Sequence, residues 1–224
     1  MQNYIKPIQL GSLKLQSNIV QGPLAGYSCA PFRVLAWRYG QPGFCTTEMI
    51  SANDLVHRRE KPKRFLYRDP EEKILSYQLS GNDPLMLAKA TEIVTKEGAD
   101  IIDLNCGCPV NKIRRKNCGS KLLTTPEQLY QLIRAIKQNT DAVVSIKIRV
   151  ASPVHDHDEA LIIDAATKAG VDFITVHGRH WTERYDKLCQ IEAIARIVKM
   201  TNLPIFANGD VADIDSLNHI FEKT

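Results

Sequence analysis

Apolar positions along the chain fall into two kinds of run that alternate from end to end. Short runs rich in β-branched and aromatic residues read as strands: Ile19-Val20, Phe44-Cys45-Thr46-Thr47, Ile74 to Leu79, Ile101 to Leu104, Val143 to Ile148, Phe173 to Val176 and Pro204 to Ala207. Between and after them lie amphipathic stretches that predict helices over Pro31 to Tyr39, Pro84 to Glu97, Pro126 to Asn139, Glu159 to Lys168, Ile191 to Met200 and Ile214 to Lys223. Asp83-Pro84 and Thr125-Pro126 each offer an N-cap followed by a first-turn proline, and Gly40, Gly98 and Gly170 stand just past helix ends. Ahead of this series, Ile8-Gln9-Leu10 and Leu13-Lys14-Leu15 flank Gly11-Ser12 and predict a small hairpin over Tyr4 to Ser17.

Strands alternating with helices at this spacing mean βαβ units and a parallel sheet, either doubly wound or closed into a barrel. The polar residues favour the barrel. Gln78, Asn105, Cys108, Lys147, His177 and Asn208 stand at or just beyond the C-terminal ends of different strands. In a TIM-type (β/α)8 barrel those ends converge on one mouth, where active sites are built, whereas an open sheet spreads them along an edge. The expected fold is therefore α/β, a TIM-type barrel whose bottom is capped by the hairpin. No eighth strand follows the Ile214 to Lys223 helix, so the expectation is one domain over residues 1–224, a barrel that stops before its last strand.

Composition changes this picture little. The 224 residues are 44% hydrophobic and 24% charged, as in compact globular proteins, and a chain of this length buries roughly 70% of its unfolded surface without needing disulfides. Its six cysteines form no regular framework, and no stretch approaches the roughly 20 apolar residues of a membrane span, so a reducing, cytoplasmic location without membrane attachment is expected. The net charge of +4 is compatible with a nucleic-acid partner without requiring one. Two basic clusters, His57 to Arg64 and Lys112 to Lys116, fall on loops or element boundaries, where such runs are ordinarily just solvated.

The segment with most chemistry is Asp103-Leu104-Asn105-Cys106-Gly107-Cys108-Pro109, leaving the fourth strand. It sets an amide able to hold a base edge beside a thiol able to give a proton. Cys106 and Cys108 are one residue apart and lack the two-residue gap and second ligand pair of a structural zinc site, so no metal is expected. Cys106 reads as a buried thiol, and Cys108, before a proline in a loop, as the functional one.

Asn105-Cys106-Gly107-Cys108-Pro109, followed by Lys112, Arg115-Lys116 and Gly119-Ser120-Lys121-Leu122, resembles the signature of the tRNA-dihydrouridine synthases. Gly22-Pro23-Leu24-Ala25-Gly26, Pro31-Phe32-Arg33, Thr47-Glu48-Met49, Gln78, Lys147-Ile148-Arg149, His177-Gly178-Arg179 with Tyr185, and Ala207-Asn208-Gly209-Asp210 resemble further family motifs in the same order. Two departures stand out: His180-Trp181 occupies the place of the family's usual Thr-Arg, and Lys121 replaces a small residue.

The resemblance implies an FMN-dependent oxidoreductase that uses NADPH to reduce a tRNA uridine to dihydrouridine, hydride passing to C6 and Cys108 protonating C5. It implies that Pro23, Leu24, Ala25, Gln78, Lys147, His177, Asn208, Gly209 and Asp210 bind the cofactor, and that Asn105, Lys112, Arg179 and Tyr185 meet the substrate. Family members continue into an eighth strand with a phosphate-binding Gly-Arg and a helical tRNA-binding domain. This chain alone is accordingly expected to be flavin-poor, prone to associate and nearly inactive on tRNA. Two other readings remain at this point, an enzyme acting on free pyrimidines in the manner of dihydroorotate or dihydropyrimidine dehydrogenase, and an inactive remnant.

Overall fold

The hairpin comes first, with β1 (Ile8–Leu10) antiparallel to β2 (Leu13–Leu15) in the register Ile8↔Leu15. In the computed structural model, which describes residues 4–57, 63–152 and 156–224, it is followed by a parallel sheet of βα units. Its strands β3 (Cys45–Thr46), β5 (Leu75–Ser80), β6 (Ile101–Cys106), β7 (Val143–Arg149), β8 (Phe173–His177) and β9 (Ile205–Asn208) pair in that order, and β4 (Ile50–Ser51) joins the far end of β5. The expected first strand is shorter than its pattern predicts. Only Gln21 bridges Cys45, although Gly43 N–H donates to the Ile19 carbonyl and Thr46 N–H to that of Gln21; Gly22-Pro23 then turns the chain away.

Six helices match the periodic stretches: α1 (Ala30–Gly40), α4 (Pro84–Lys96), α6 (Pro126–Lys137), α7 (Glu159–Ala169), α8 (Ile191–Val198) and α9 (Ile214–Lys223). Asp83 caps α4 as expected, accepting from the Leu85 and Met86 amides, whereas Thr125 makes no side-chain cap. Gly170 ends α7 in the left-handed region; Gly40 instead lies inside α1, which ends on Gln41 at φ 42°. Short α2 (Ala52–His57), α3 (Lys63–Leu66), α5 (Asn111–Arg114) and a 3₁₀ turn over Gly119–Thr124 go beyond the sequence pattern. Most of the His57 to Arg64 basic cluster lies outside the described residues.

Alternation within the strands decides what lies inside the barrel. Leu75, Tyr77 and Leu79, then Ile102, Leu104 and Cys106, then Val144, Ile146 and Ile148, share one cluster with the helices. The intervening positions face inward, and they change character along each strand. At the N-terminal end, Phe44, Ile101, Val143, Phe173 and Phe206 pack with Leu10 and Leu15 of the hairpin, so the hairpin does plug the bottom. Higher up come Ser76, Asp103 and Ser145, and at the C-terminal end Gln78, Asn105, Lys147, His177 and Asn208. Phe44, just before β3, and Phe206, in β9 at the other end of the ladder, have ring centroids 5.7 Å apart. The sheet therefore curls until its ends approach, as a barrel requires, and its interior grows more polar from the hairpin-plugged bottom to the mouth.

Candidate active site at the barrel mouth

A chain of hydrogen bonds rises from the interior to Cys108. Asp103 accepts from Ser145 Oγ (2.7 Å) and from Gln78 Nε2 (2.7 Å); Gln78 Oε1 accepts from Asn105 Nδ2 (2.8 Å). Asn105 Oδ1 then accepts the Cys108 amide at 3.0 Å and the Gly107 amide at 3.3 Å. Burial raises the Asp103 pKa against the pull of Gln78 and Ser145. Gln78 and Asn105 thus spend most of their polar capacity on fixing the turn after β6. Cys106 is fully buried, with its thiol pKa raised well above the usual range by burial, while Cys108 is half-buried. Cys106 is thus the buried thiol that the sequence predicts.

The carbonyls of that turn are held by neighbouring loops. Arg149, the last residue of β7, donates from Nε to the Gly107 carbonyl (2.8 Å) and from Nη1 to that of His180 (3.0 Å). Ser120 donates both its amide (3.1 Å) and its hydroxyl (3.0 Å) to the Cys108 carbonyl. Gly119 makes the approach possible, because a Cβ there would come 2.7 Å from the Cys108 carbonyl oxygen, and its φ is +61°.

Lys147 and His177 stand on adjoining strands. Lys147 Nζ donates to Asn208 Oδ1 (2.8 Å), its one hydrogen-bond partner among the described residues. Burial lowers the Lys147 pKa to about 8, opposed by Asp103 and aided by Arg149. An ammonium so placed has two N–H groups to offer to an anionic or carbonyl-rich group at the mouth. Burial, with Lys147, Arg149 and Arg179 nearby, lowers the His177 pKa to about 3, so the imidazole is neutral at physiological pH. Arg179 Nη1 lies 3.3 Å from His177 Nε2 and can only donate, which leaves the ring proton on Nδ1.

Arg179 itself is turned inward. It is 3% exposed and also donates to the Lys187 carbonyl (2.7 Å) and to Asp210 (2.5 Å), so its guanidinium is a loop brace. Asp210 accepts the Cys189 amide as well (2.8 Å), and these donors carry its pKa below the usual range although burial works the other way. Gly209 at φ +126° leaves room for this closure, since a Cβ there would lie 2.8 Å from Cys189 Sγ. Tyr185, 79% exposed, stacks 6.3 Å from His177 and under Arg179. Lys112 is exposed on α5, beside exposed Arg115 and Lys116.

Across the mouth, Pro23, Leu24 and Ala25 form an open loop in which Leu24 is 47% exposed, and a Cβ added at Gly22 or Gly26 would meet nothing within 4 Å. Glu48 accepts the Gly26 amide (2.6 Å), and buried Arg33 donates to the Ser28 carbonyl (2.8 Å) while pairing with buried Glu72. The loop is therefore open to solvent, and β7 brings to the mouth a cation with N–H groups to spare, features suited to a flat group with an electron-rich edge. Among the described residues no group of three or more His, Cys, Asp or Glu could hold a metal, and no helix is long and apolar enough to cross a membrane.

Sequence reading singled out Cys108, Lys147, His177 and Asn208, and the structure brings these to the mouth. It did not find Asp103, Arg149 or Ser120 as working parts of the site. Asp103 had a signal, standing two residues before Asn105 on the same strand face; Ser120 and Arg149 stood inside the motifs quoted above, but they act on backbone carbonyls of other loops, which gave no sign of their role.

Comparison with known proteins adds a third line. The family model described as Dihydrouridine synthase (Dus) matches residues 19–224. "Probable tRNA-dihydrouridine synthase 1" of Synechocystis sp. is 34% identical over 99% of this chain and 62% of its own length, and "tRNA-dihydrouridine synthase B" of Vibrio parahaemolyticus is 30% identical over 97% and 67%. The chain thus spans about two thirds of the length of these curated relatives. Among solved structures, 6-hydroxypseudooxynicotine amine oxidase from Pseudomonas geniculata superposes with a TM-score of 0.74 at 13% identity, covering 97% of this chain and 45% of that one. DHODH from Eimeria tenella in complex with ferulenol gives 0.63 at 15% identity, covering 92% and 73%. Likeness at that identity carries the fold alone.

Proposed function

The chain belongs to the dihydrouridine synthase family, and from that membership and the geometry of the mouth we propose that it takes part in reducing uridine in tRNA to 5,6-dihydrouridine with FMN, and with NADPH as reductant. The observation that carries this reading is the Cys108 loop: a half-buried thiol whose turn is held at the barrel mouth by Asn105, Ser120 and Arg149, on a rim that also carries a lysine with donors to spare. FMN, when bound, supplies hydride to C6 of the uracil.

The chain's own residues account for the rest. Pro23, Leu24 and Ala25 provide the backbone that the flat ring approaches, and Lys147 gives its free N–H groups to the electron-rich ring edge. Gln78 has one Nε2 hydrogen left after Asp103, which it offers to the same ring edge. His177, neutral, Asn208 and Gly209-Asp210 bound the side on which a phosphate would lie. Cys108 gives its proton to C5 of the uracil. Asn105 keeps the Cys108 backbone at the height this demands, and Tyr185 offers an exposed ring on which a displaced base or its neighbour stacks. Lys112, Arg115 and Lys116 meet RNA phosphate, and Arg179 shapes the loop instead of touching RNA. The reading on free pyrimidines loses ground, since the family model and the curated relatives named above are dihydrouridine synthases, whereas the likeness to DHODH stands at 15% identity and carries the fold alone.

The test is direct. The protein extended to the length of its curated relatives, incubated with FMN, NADPH and unmodified tRNA, is expected to retain the yellow cofactor through desalting and to yield dihydrouridine by mass spectrometry of digested tRNA, and these 224 residues alone to retain less flavin and form little product. Lys147→Ala is expected to weaken retention. A protein that takes up no flavin at saturating FMN and leaves every uridine intact overturns the proposal.

A further inference from the structure

Three mouth loops meet at one stacked pair of side chains. Arg114, at the end of α5, lies with its guanidinium carbon 3.4 Å from the centroid of the Trp181 ring. Trp181 belongs to the loop after β8, and its indole N–H donates to Asp156 Oδ2 (2.7 Å) on the loop after β7. Asp156 Oδ2 also meets His180 Nε2 (2.9 Å), and Oδ1 accepts the Ser152 amide (3.1 Å). On its other side Arg114 Nη1 donates to Ser120 Oγ (2.7 Å), whose single hydrogen goes on to the Cys108 carbonyl (3.0 Å). Every direction in this chain is forced, because guanidinium and indole N–H only donate and a hydroxyl has one proton to give. Arg149 ties the same loops a second time, through the carbonyls of Gly107 and His180.

We propose that Arg114 and Trp181 are positioning residues for Cys108: the stacked pair, anchored on Asp156, fixes through Ser120 where the thiol sits above the mouth. The inference rests on reading Cys108 as the proton donor. A planar guanidinium stacked on a planar indole has little freedom to tilt, so the stack aims Nη1 at Ser120 in a way that a lysine ammonium cannot reproduce. Nor is Arg114 placed as a phosphate ligand. Its face is covered by the ring and one terminal nitrogen is engaged, while Lys112, Arg115 and Lys116 on the same segment stand exposed.

A double-mutant cycle separates this role from its rivals. Arg114→Ala, Arg114→Lys, Trp181→Ala and Cys108→Ala are made singly, and Arg114→Ala is combined with Cys108→Ala. Single-turnover uridine reduction, tRNA affinity, flavin reduction by NADPH and exchange of the Ser120 amide hydrogen are measured for each. Displacing a reacting group by about an ångström can cost on the order of a hundredfold, so a roughly ten- to hundredfold slower single turnover is expected for Arg114→Ala. Trp181→Ala is expected to behave the same way, with tRNA affinity and flavin reduction unchanged and faster exchange at Ser120. Arg114→Lys should not rescue. Added to Cys108→Ala, Arg114→Ala should slow the reaction no further, since it acts through that thiol.

The proposal is overturned by a multiplicative loss in the combined variant. It is equally overturned by lost tRNA affinity with an unchanged single-turnover rate, or by parental exchange at Ser120 in Arg114→Ala. If instead Cys108→Ala alone turns over at the parental rate, the proton-donor reading has failed, and the exchange measurement still decides whether Arg114 holds the Cys108 turn.

Discussion

Glu72→Ala should be among the most damaging single substitutions in this protein, although Glu72 lies far from any group proposed to react. Arg33 and Glu72 are both buried, and the guanidinium gives Nε to Glu72 Oε1 (2.5 Å), Nη2 to Oε2 (3.1 Å) and to the Tyr67 carbonyl (2.8 Å), and Nη1 to the Ser28 carbonyl (2.8 Å). Glu72 also accepts the Asp69 amide (2.8 Å). Removing the carboxylate leaves a guanidinium without a counter-charge in a site closed to water, a change that typically costs about 3–5 kcal/mol. For a domain of this size that corresponds to a fall in melting temperature of roughly 6–20 °C. Replacing both partners, as Arg33→Met with Glu72→Leu, removes the stranded charge and should cost much less. The mouth should respond too, because Arg33 holds the Ser28 carbonyl at the end of the Pro23 to Gly26 loop, so Glu72→Ala should also retain flavin less well. Thermal unfolding followed by circular dichroism measures the first effect and desalted flavin content the second. A Glu72→Ala loss below about 1 kcal/mol, or a double substitution as costly as the single one, would refute the reasoning.

Other consequences can be checked separately. His177 stays neutral in the folded protein down to about pH 3, whereas the unfolded chain takes up this proton near its ordinary value of 6.5; stability should fall by roughly 1.4 kcal/mol per pH unit below that point from this residue, and His177→Gln should flatten the slope in urea titrations. Lys147 works at the other end of the scale. With a folded pKa of about 8 against 10.5, the native state releases its proton first, so stability relative to Lys147→Met should climb between those values, and identical pH profiles for the two proteins would remove the buried charge from the account. Gly119→Ala forces a Cβ to within 2.7 Å of the Cys108 carbonyl oxygen at a φ of +61°, so it should slow uridine reduction while leaving flavin reduction by NADPH intact; equal loss of both rates would show that it disturbs the fold at large.

The barrel was legible because its strands are long enough to display period two and its helices long enough to display 3.6, down to α9 at Ile214–Lys223, which has the bounds its pattern predicts. The two-residue β4 and the four-residue α5 have no apolar run of their own long enough to stand out, and so leave no such trace. The mouth was legible where a polar residue interrupts an apolar strand at its end, as Lys147 and Asn208 do. Arg179 shows the limit. The family resemblance implied a substrate contact, but the Arg179 guanidinium is held by Asp210, which comes into range only after β8 and β9 pair. The link from Gln78 to Asn105 likewise depends on the register Gln78↔Asp103, which no reading of one strand contains.

In the proposed reaction Cys108 is a proton donor rather than a packing residue or a cofactor ligand. The measurement that tests it most directly compares Cys108→Ala with the parent, both loaded with FMN, for flavin reduction by NADPH and for dihydrouridine formed per reduced flavin in a single turnover with tRNA. Unchanged flavin content and reduction, with dihydrouridine formation slowed by about 10²–10⁴-fold, is the predicted result. Dihydrouridine formed at the parental rate by Cys108→Ala would contradict it.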